Sequence, residues 1–377
     1  MSIEIRQHAP GEGLKDFLSV SDRLFAGDPH YIPPLRMELK QRLTPGKNPF
    51  WEHAEGTFFT AYRGGEVVGR TSAQIDHEHL RIHNDGAGFF GFFDTIDDQE
   101  VATALLERAV AWLKERGMKT ARGPFSLSIN EESGCLIDGF DTPPALMMGH
   151  HRSYQGALAE GAGFEKVKDL LCWKYLVEEP PKRAARAWEQ IQALPEVRFR
   201  SVDPSRMRQE LDSILEIFND AWEKNWGFVP ATPSEVEKMA EDMKLLIDPR
   251  VAFFAEVKGE PVGMVICLPN LPDAIHDLDG KLFPFGWAKM LYRVKVRKLR
   301  SARLMLLGIK QKMRGIKRYG PLSTAMYAEL AYRGIKHNFE WAELSWTLED
   351  NRPINLGIKA MRGKVYKTYR VYERAIG

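Results

Sequence analysis

Apolar and polar residues alternate from Ile3 to Arg6, which predicts a strand, and the spacing changes to three-to-four from Leu14 to Phe25, which predicts a helix. The turn-rich run Asp28-Pro-His-Tyr-Ile-Pro-Pro34 follows. Two alternating runs, Thr57 to Tyr62 and Val67 to Ile75, flank Arg63-Gly64-Gly65 and predict a hairpin, because glycine supplies the positive φ of a tight turn. A strand over Gly88 to Phe93 then leads into an amphipathic helix from Asp97 to Arg116, which Gly117 stops.

The second half replays this order, with a strand at Arg198 to Val202, helices over Ser205 to Trp222 and Ser234 to Leu246, and another hairpin. Phe58-Phe59 followed by Val68-Gly69 matches Phe253-Phe254 followed by Val262-Gly263, an offset of about 195 residues that marks a duplicated unit. Later landmarks drift: Arg116-Gly117 pairs with Arg333-Gly334, so the second copy carries about twenty extra residues, mostly between Asn270 and Lys310. The terminal strands also echo, Ala162-Gly-Phe-Glu-Lys-Val-Lys168 against Met361-Arg-Gly-Lys-Val-Tyr-Lys367. Glu178-Glu-Pro-Pro181 reads as the linker, since consecutive prolines continue neither helix nor ladder. The expected fold class is therefore α/β: two tandem domains, residues 1–178 and 179–377, each a mixed twisted sheet covered by helices.

The totals narrow this reading. A chain of 377 residues is too long for one ordinary core, and 44% hydrophobic with 28% charged residues is the balance of a globular protein. Cys135, Cys172 and Cys267 show no metal-type or disulfide spacing, which points to a reducing cytoplasm. Met1 to Pro10 has no apolar signal region, and no long uncharged apolar stretch occurs, so neither a standard secretion signal nor a membrane span is expected. The net charge of +2 says little until its distribution is known.

From Leu304 to Tyr372 the order is strand Arg303 to Gly308, loop Gln311 to Gly320, helix Leu322 to Arg333, strand Trp341 to Trp346, then Glu349-Asp-Asn351 and a closing Gly363-Lys-Val-Tyr. This stretch resembles the GNAT superfamily of acyltransferases. In that family a strand ends in an R-G-x-G-x-G/A loop whose backbone N–H groups, with the next helix N-terminus, hold the CoA pyrophosphate; such groups and the helix dipole favour anions. The resemblance implies two tandem GNAT-like domains using acyl-CoA as cosubstrate, without a metal. It places phosphates on Lys312, Arg314, Gly315 and Lys317, and pantetheine on Asn351 and Asn355. The loop departs from the pattern at Lys317 and Tyr319, where small residues are usual, so side-chain cations have to carry more of the anion binding. Ile358 stands where many members place a tyrosine acid, leaving Tyr366 or Tyr369 to substitute. In the first copy Asp94, Asp97, Asp98 and Glu100 would repel a pyrophosphate, so that copy is expected to be degenerate. Bacterial ceramide synthases, which acylate a sphingoid-base amine, are a more specific relative that the chain resembles.

Acyl transfer to an amine needs a base for the amine and an acid for the leaving thiolate. Glu343, on the strand flanking the expected split, is the candidate base, with Tyr366 as acid; the alternative is that strand alternation turns Glu343 to solvent. The segment Ser126 to Tyr154 gathers Asn130, Glu131, His150 and Tyr154 as candidate substrate contacts for an acceptor pocket between the domains, or is an ordered surface loop. Asp76, His79 and His83 read as a polar turn and not as a metal site. Finally, Lys281 to Arg318 holds thirteen Lys or Arg and no Asp or Glu, with aromatics interleaved, and Trp287, Met290, Leu291 and Val294 fall at helical spacing. Three readings stay open for it: contact with an anionic inner-membrane surface, an apolar side docked on the sheet, or a nucleic-acid groove. The leading function is an N-acyltransferase moving an acyl group from acyl-CoA to a primary, long-chain or sphingoid-type amine. The alternatives are a non-catalytic CoA or acyl-chain binding module and a nucleic-acid-binding protein.

Overall fold

The structure, a computed structural model, describes residues 2–377, without the side chains at 240 and 243–245. It contains two compact units: residues 2–170, 275–288 and 367–377 form the first, and residues 171–274 and 289–366 the second. The single boundary expected at residue 178 does not express this, because 171–178 group with the second unit and 367–377 with the first.

In the first unit the elements run β1 (Ile3–His8), α1 (Lys15–Leu24), α2 (Arg36–Arg42), β2 (Ala54–Arg63), β3 (Glu66–Asp76), α3 (His77–His83), β4 (Ala87–Thr95), α4 (Gln99–Glu115), β5 (Thr120–Gly123), β6 (Phe125–Ser126), β7 (Glu132–Ser133), β8 (Cys135–Asp138) and α5 (Gln155–Gly161). Strand β9 (Glu165–Leu176) leaves it for the second unit. The chain continues with α6 (Lys182–Gln192), β10 (Val197–Ser201), α7 (Met207–Trp222), α8 (Pro233–Leu246), β11 (Ala252–Val257), β12 (Glu260–Pro269), α9 (Pro272–Ile275), α10 (Gly286–Leu291), β13 (Ser301–Ile309), α11 (Leu322–Lys336), β14 (Trp341–Leu348), α12 (Arg352–Ala360) and β15 (Lys364–Ala375), of which Ile275, residues 286–288 and residues 367–375 group with the first unit.

The first unit's sheet has the order β1-β2-β3-β4-β5-β15, and β8 also pairs with β15. Gly64 and Gly65 take φ of 60° and 85° and turn the β2–β3 hairpin, as the residue types demand. Every residue of β4 is buried, as befits a central strand covered on both faces. Helix α4 starts where Asp98 accepts the N–H groups of Glu100 and Val101 at 3.0 and 3.1 Å. Its inner stripe, including Val101, Leu105, Leu106, Ala109 and Leu113, packs with Phe59, Phe90 and Phe93.

The second unit's sheet has the order β9-β14-β13-β12-β11-β10. Helix α11 lays Leu322, Ala325, Met326, Ala328 and Ala331 on it, against Phe253, Val265 and Leu304. The small residues of that stripe allow close helix-to-sheet approach. Each unit is thus a mixed sheet with its own helix-covered core.

In both units the parallel pair at the centre is short. Strands β4 and β5 share the register pairs Ala87↔Thr120, Gly88↔Ala121 and Phe89↔Arg122. Strands β13 and β14 run together from Ser301↔Trp341 to Leu304↔Leu344, and no further pair joins them among the described residues, although β13 continues to Ile309 beside β12.

Candidate active site

The end of the β13–β14 pairing gathers the polar side chains of the second unit. Arg303 and Glu343 are register partners, so their side chains share a face just before the strands part. Glu343 has 0% exposure and Arg303 4%, and Arg303 Nε lies 3.7 Å from Glu343 Oε1. Burying either charge alone would be costly; together they neutralise each other. Arg303 Nε donates to Ser345 Oγ at 2.9 Å, and Ser345 in turn donates to Glu343 Oε1. The other carboxylate oxygen accepts the Tyr366 hydroxyl. Both oxygens of Glu343 are therefore occupied, and the solvated sheet-edge alternative for this residue is overturned by its burial. Tyr366 is half-buried and is the member of the cluster that reaches toward solvent. Tyr369, the other tyrosine considered as an acid, is buried in the first unit and donates to the Gly149 carbonyl at 2.8 Å.

Beyond the fork, β13 runs into the Gln311–Gly320 loop. Here Arg314 Nη2 donates to the carbonyls of Ala221 and Ile309 at 3.1 and 3.2 Å, so the guanidinium braces the bend as well as facing water. Lys312 pairs with Glu260. Arg318 reaches Glu196 at 2.7 Å, and the Tyr319 hydroxyl donates to the same carboxylate at 3.2 Å. The bulky residue of the unusual loop is thereby drawn to Glu196. Lys317 is exposed and makes no ion pair among the described residues. Gly315 takes φ of 85°, and a Cβ built there meets nothing within 4 Å, so the backbone is bare at that point. Bare backbone N–H, an open approach and an adjacent cation fit a diphosphate. Gly308 plays a different part: a Cβ there would overlap the Trp222 ring, so its hydrogen admits the indole of α7 across the outer end of β13.

Asn351 sits at the start of α12 without a side-chain cap bond. Asn355 is committed elsewhere, since its amide donates to the carbonyls of Leu348 and Glu349 at 3.0 and 3.2 Å and accepts from Thr347 at 2.7 Å. It holds the turn after β14, which leaves Asn351 as the asparagine available to a ligand.

The candidate residues of the first unit do not meet at one point. Tyr154 packs in the core and donates to the Thr95 carbonyl at 3.0 Å. His150 Nε2 lies 3.2 Å from Asp28 Oδ2, burial lowers its pKa, and its buried Nδ1 has no partner. Asn130 N donates to Ser128 Oγ at 3.2 Å in the β6–β7 turn. Glu131 Oε2 is 3.2 Å from Arg42 Nε in a contact without hydrogen-bond alignment. Burial, with Glu132 and Glu38 nearby, raises Glu131 to about 7 from 4.5 despite Arg42. The unfolded chain then binds fewer protons than the folded one between those values, so stability falls with rising pH through that window, by up to about 3 kcal/mol. Urea unfolding at pH 5 and pH 8 is expected to show this loss, and Glu131→Gln to abolish it; an unchanged slope in the variant would remove Glu131 as its source. Asp94, expected to repel phosphate, is buried and ion-paired with Arg70 at 2.6 Å, while Asp98 is the helix cap already described. Asp76 caps α3, and His79 lies 3.2 Å from Asp85, which gives both a place in the fold.

No family model matches the chain. A curated relative, "Bacterial ceramide synthase" of Caulobacter vibrioides (strain NA1000 / CB15N), is 43% identical over 367 residues, covering 96% of this chain and 95% of that one. The chain belongs to the bacterial ceramide synthase family. Another relative of this family member, "Protein YghO" of Escherichia coli (strain K12), is 38% identical over 364 residues, with 96% and 93% of the two chains covered. Among solved structures, a tandem GNAT protein from the clavulanic acid biosynthesis pathway matches with a TM-score of 0.58 at 12% identity, covering 100% of this chain and 99% of that one. A GCN5-related N-acetyltransferase from Sphaerobacter thermophilus matches at 0.52, also at 12% identity, over 99% and 96%. The fold of this ceramide synthase family member is thus two tandem GNAT domains, and the protein is an acyl-CoA-dependent N-acyltransferase.

Arg303, Ser345 and Trp222 were absent from the sequence-based site. Ser345 was within reach, since it shares Glu343's face two residues on. Arg303 became a partner only through the register of β13 on β14, and Trp222 only through the packing of α7 against Gly308.

Proposed function

We propose that the protein transfers a long-chain acyl group from acyl-CoA to the primary amine of a sphingoid-type amino alcohol, with the reaction centred on the β13–β14 fork of its second domain. The name of the 43% identical relative supports the acceptor class. The observation that carries the chemistry is the buried Glu343 tied to the half-buried Tyr366 where the two strands separate. Gly315, Lys317 and Arg314 would hold the diphosphate, with Lys312 adding charge behind them and Asn351 steadying the pantetheine arm. The bound cosubstrate supplies an activated carbonyl to the fork. Because Glu343 is sealed from solvent, its protons pass through Tyr366: the phenol oxygen takes a proton from the attacking amine as its own moves to Glu343. The same pair returns a proton to the departing sulfur, so both residues end as they began. Arg303, 3.7 Å from the carboxylate and bonded to Ser345 beside it, aligns the carboxylate as a positioning residue.

The first domain, taken as residues 1–178, would be the degenerate copy. A Cβ at Gly91 would overlap the Phe125 carbonyl, and Gln74 Nε2 donates to that carbonyl at 2.7 Å. The chain itself therefore fills the place where β4 and β5 would open. Asn130, Glu131, His150 and Tyr154, read from the sequence as acceptor contacts, belong to this domain, where Tyr154 and Asn130 serve its own fold and His150 keeps a buried Nδ1 without a partner.

The test is thiol release from acyl-CoA in the presence of a sphingoid base, with product mass measured. For Lys317→Glu we expect KM for acyl-CoA to rise about tenfold with kcat and the KM for amine little changed, because a charge reversal beside a diphosphate affects binding and not chemistry. An unchanged KM for acyl-CoA would move the phosphate site away from this loop.

A further inference from the structure

The basic segment before β13 has no part in the acyl-transfer site. Its apolar side chains divide into two rows. Leu282, Met290, Leu291 and Val294 are half-buried. Phe283, Phe285, Trp287, Tyr292 and Val296 are 72%, 79%, 47%, 57% and 66% exposed. Trp287 therefore leaves the docking row in which helical spacing placed it. The helix α10 passes into a π-helical turn at Tyr292–Arg297, so a constant 3.6 period does not hold across the run. Every aromatic among the exposed large apolar side chains of the described residues lies in these few turns. Partial burial accounts for the inner row and leaves the outer row unexplained.

We propose that this outer row is a membrane-docking surface whose occupant is the anionic face of a lipid bilayer. Charge complementarity supports that occupant. Residues 281–300 contain seven Lys or Arg and no Asp or Glu, and including the preceding Asp277 and Asp279 still leaves 275–300 at a net +5. Phe inserts into the acyl boundary, Trp and Tyr favour the interface, and the stems of Lys and Arg extend to headgroups. Val296 suits hydrocarbon and offers nothing to base stacking, which sets this surface apart from a single-stranded nucleic-acid platform. The aromatic tip is also held in place. Trp287 N donates to the Leu282 carbonyl at 2.8 Å and its Nε1 to the Pro284 carbonyl at 3.1 Å, while a Cβ at Gly286 would press on the Lys281 carbonyl at 2.5 Å. A tip ordered before contact loses little entropy on binding. No helix among the described residues is long and apolar enough to cross a membrane, so attachment would be peripheral. The inference does not depend on the acceptor assigned above.

Flotation of the full-length protein with phosphatidylcholine vesicles, with and without about a third phosphatidylglycerol, at low and moderate salt tests this. We expect flotation with phosphatidylglycerol vesicles that falls about tenfold when salt rises or the anionic lipid is omitted. Phe283→Ser/Phe285→Ser should lose about tenfold or more in partitioning. Lys281→Glu/Arg297→Glu/Lys298→Glu should lose the preference for anionic lipid. Both variants should keep the wild-type Tm and transfer to a water-soluble short-chain amine. The proposal is overturned if the wild type ignores anionic vesicles, if both variants float as the wild type does, or if a single-stranded RNA oligonucleotide binds the segment while vesicles do not. Absence of acyl transfer alongside normal flotation would count against the proposed reaction alone.

Discussion

Glu343→Gln is expected to reduce kcat for acyl transfer on the order of a thousandfold, the scale of general acid–base catalysis, while leaving the acyl-CoA affinity within about twofold. Glutamine keeps the volume and can accept from Ser345 and donate to Tyr366, but it cannot take a proton. The change also strips Arg303 of its buried counter-charge, which costs about 3–5 kcal/mol where a buried pair is broken on one side. Lost activity therefore has to be separated from lost fold. Arg303→Met on the Glu343→Gln background should recover much of the Tm, since an apolar pair of similar volume replaces a buried ion pair at little cost, and should recover no activity. Tyr366→Phe should lose about a hundredfold in kcat at an unchanged KM for acyl-CoA, because only the relay hydroxyl is gone. A folded Glu343→Gln protein within tenfold of wild-type kcat would place the base elsewhere.

Local chemistry made most of the fold legible. Gly64-Gly65 and Gly117 bound their elements where expected, and the predicted strand and helix at Gly88–Arg116 and at Arg303–Arg333 match β4–α4 and β13–α11 to within three residues. Repeated Phe-Phe and Val-Gly pairs exposed the duplication because they occupy matching hairpins, β2–β3 and β11–β12. Strand ownership was hidden. Ala162–Lys168 and Met361–Lys367 echo each other as closing strands, yet nothing local says that the end of β15 pairs with β5 in the first unit, since pairing is fixed by long-range register.

The site was half legible for the same reason. Glu343 and Tyr366 carry chemistry in their residue type, and strand parity limits where Glu343 can point. Whether it faces water or a buried arginine depends on a partner forty residues away. Asn355 shows the reverse case: its residue type suits pantetheine, but the carbonyls of Leu348 and Glu349 take its donors in the fold. Arg42 and Asp28, which hold Glu131 and His150, lie about 90 and 120 residues from them, beyond any local reading.

The two glycines at the split ends of the sheets provide the other large effect. A Cβ at Gly91 would stand inside the Phe125 carbonyl oxygen and 2.6 Å from its carbon, and a backbone group in a buried position cannot swing aside as a side chain does. Moving it would also break the 2.7 Å bond from Gln74 and disturb the Leu127 carbonyl, which the same amide reaches at 3.1 Å. Gly91→Ala is therefore expected to destabilise the first unit by about 4 kcal/mol or more, lowering Tm by roughly 10 °C. Gly315→Ala meets no atom and suffers only the strain of a positive φ, about 1 kcal/mol, so its effect should be on acyl-CoA affinity and little on Tm. Paired calorimetry and acyl-CoA titration of the two variants separates a gap closed by its own backbone from one left for a ligand. A Gly91→Ala protein with wild-type Tm would mean that β6 yields readily, and the first domain could then open as the second does.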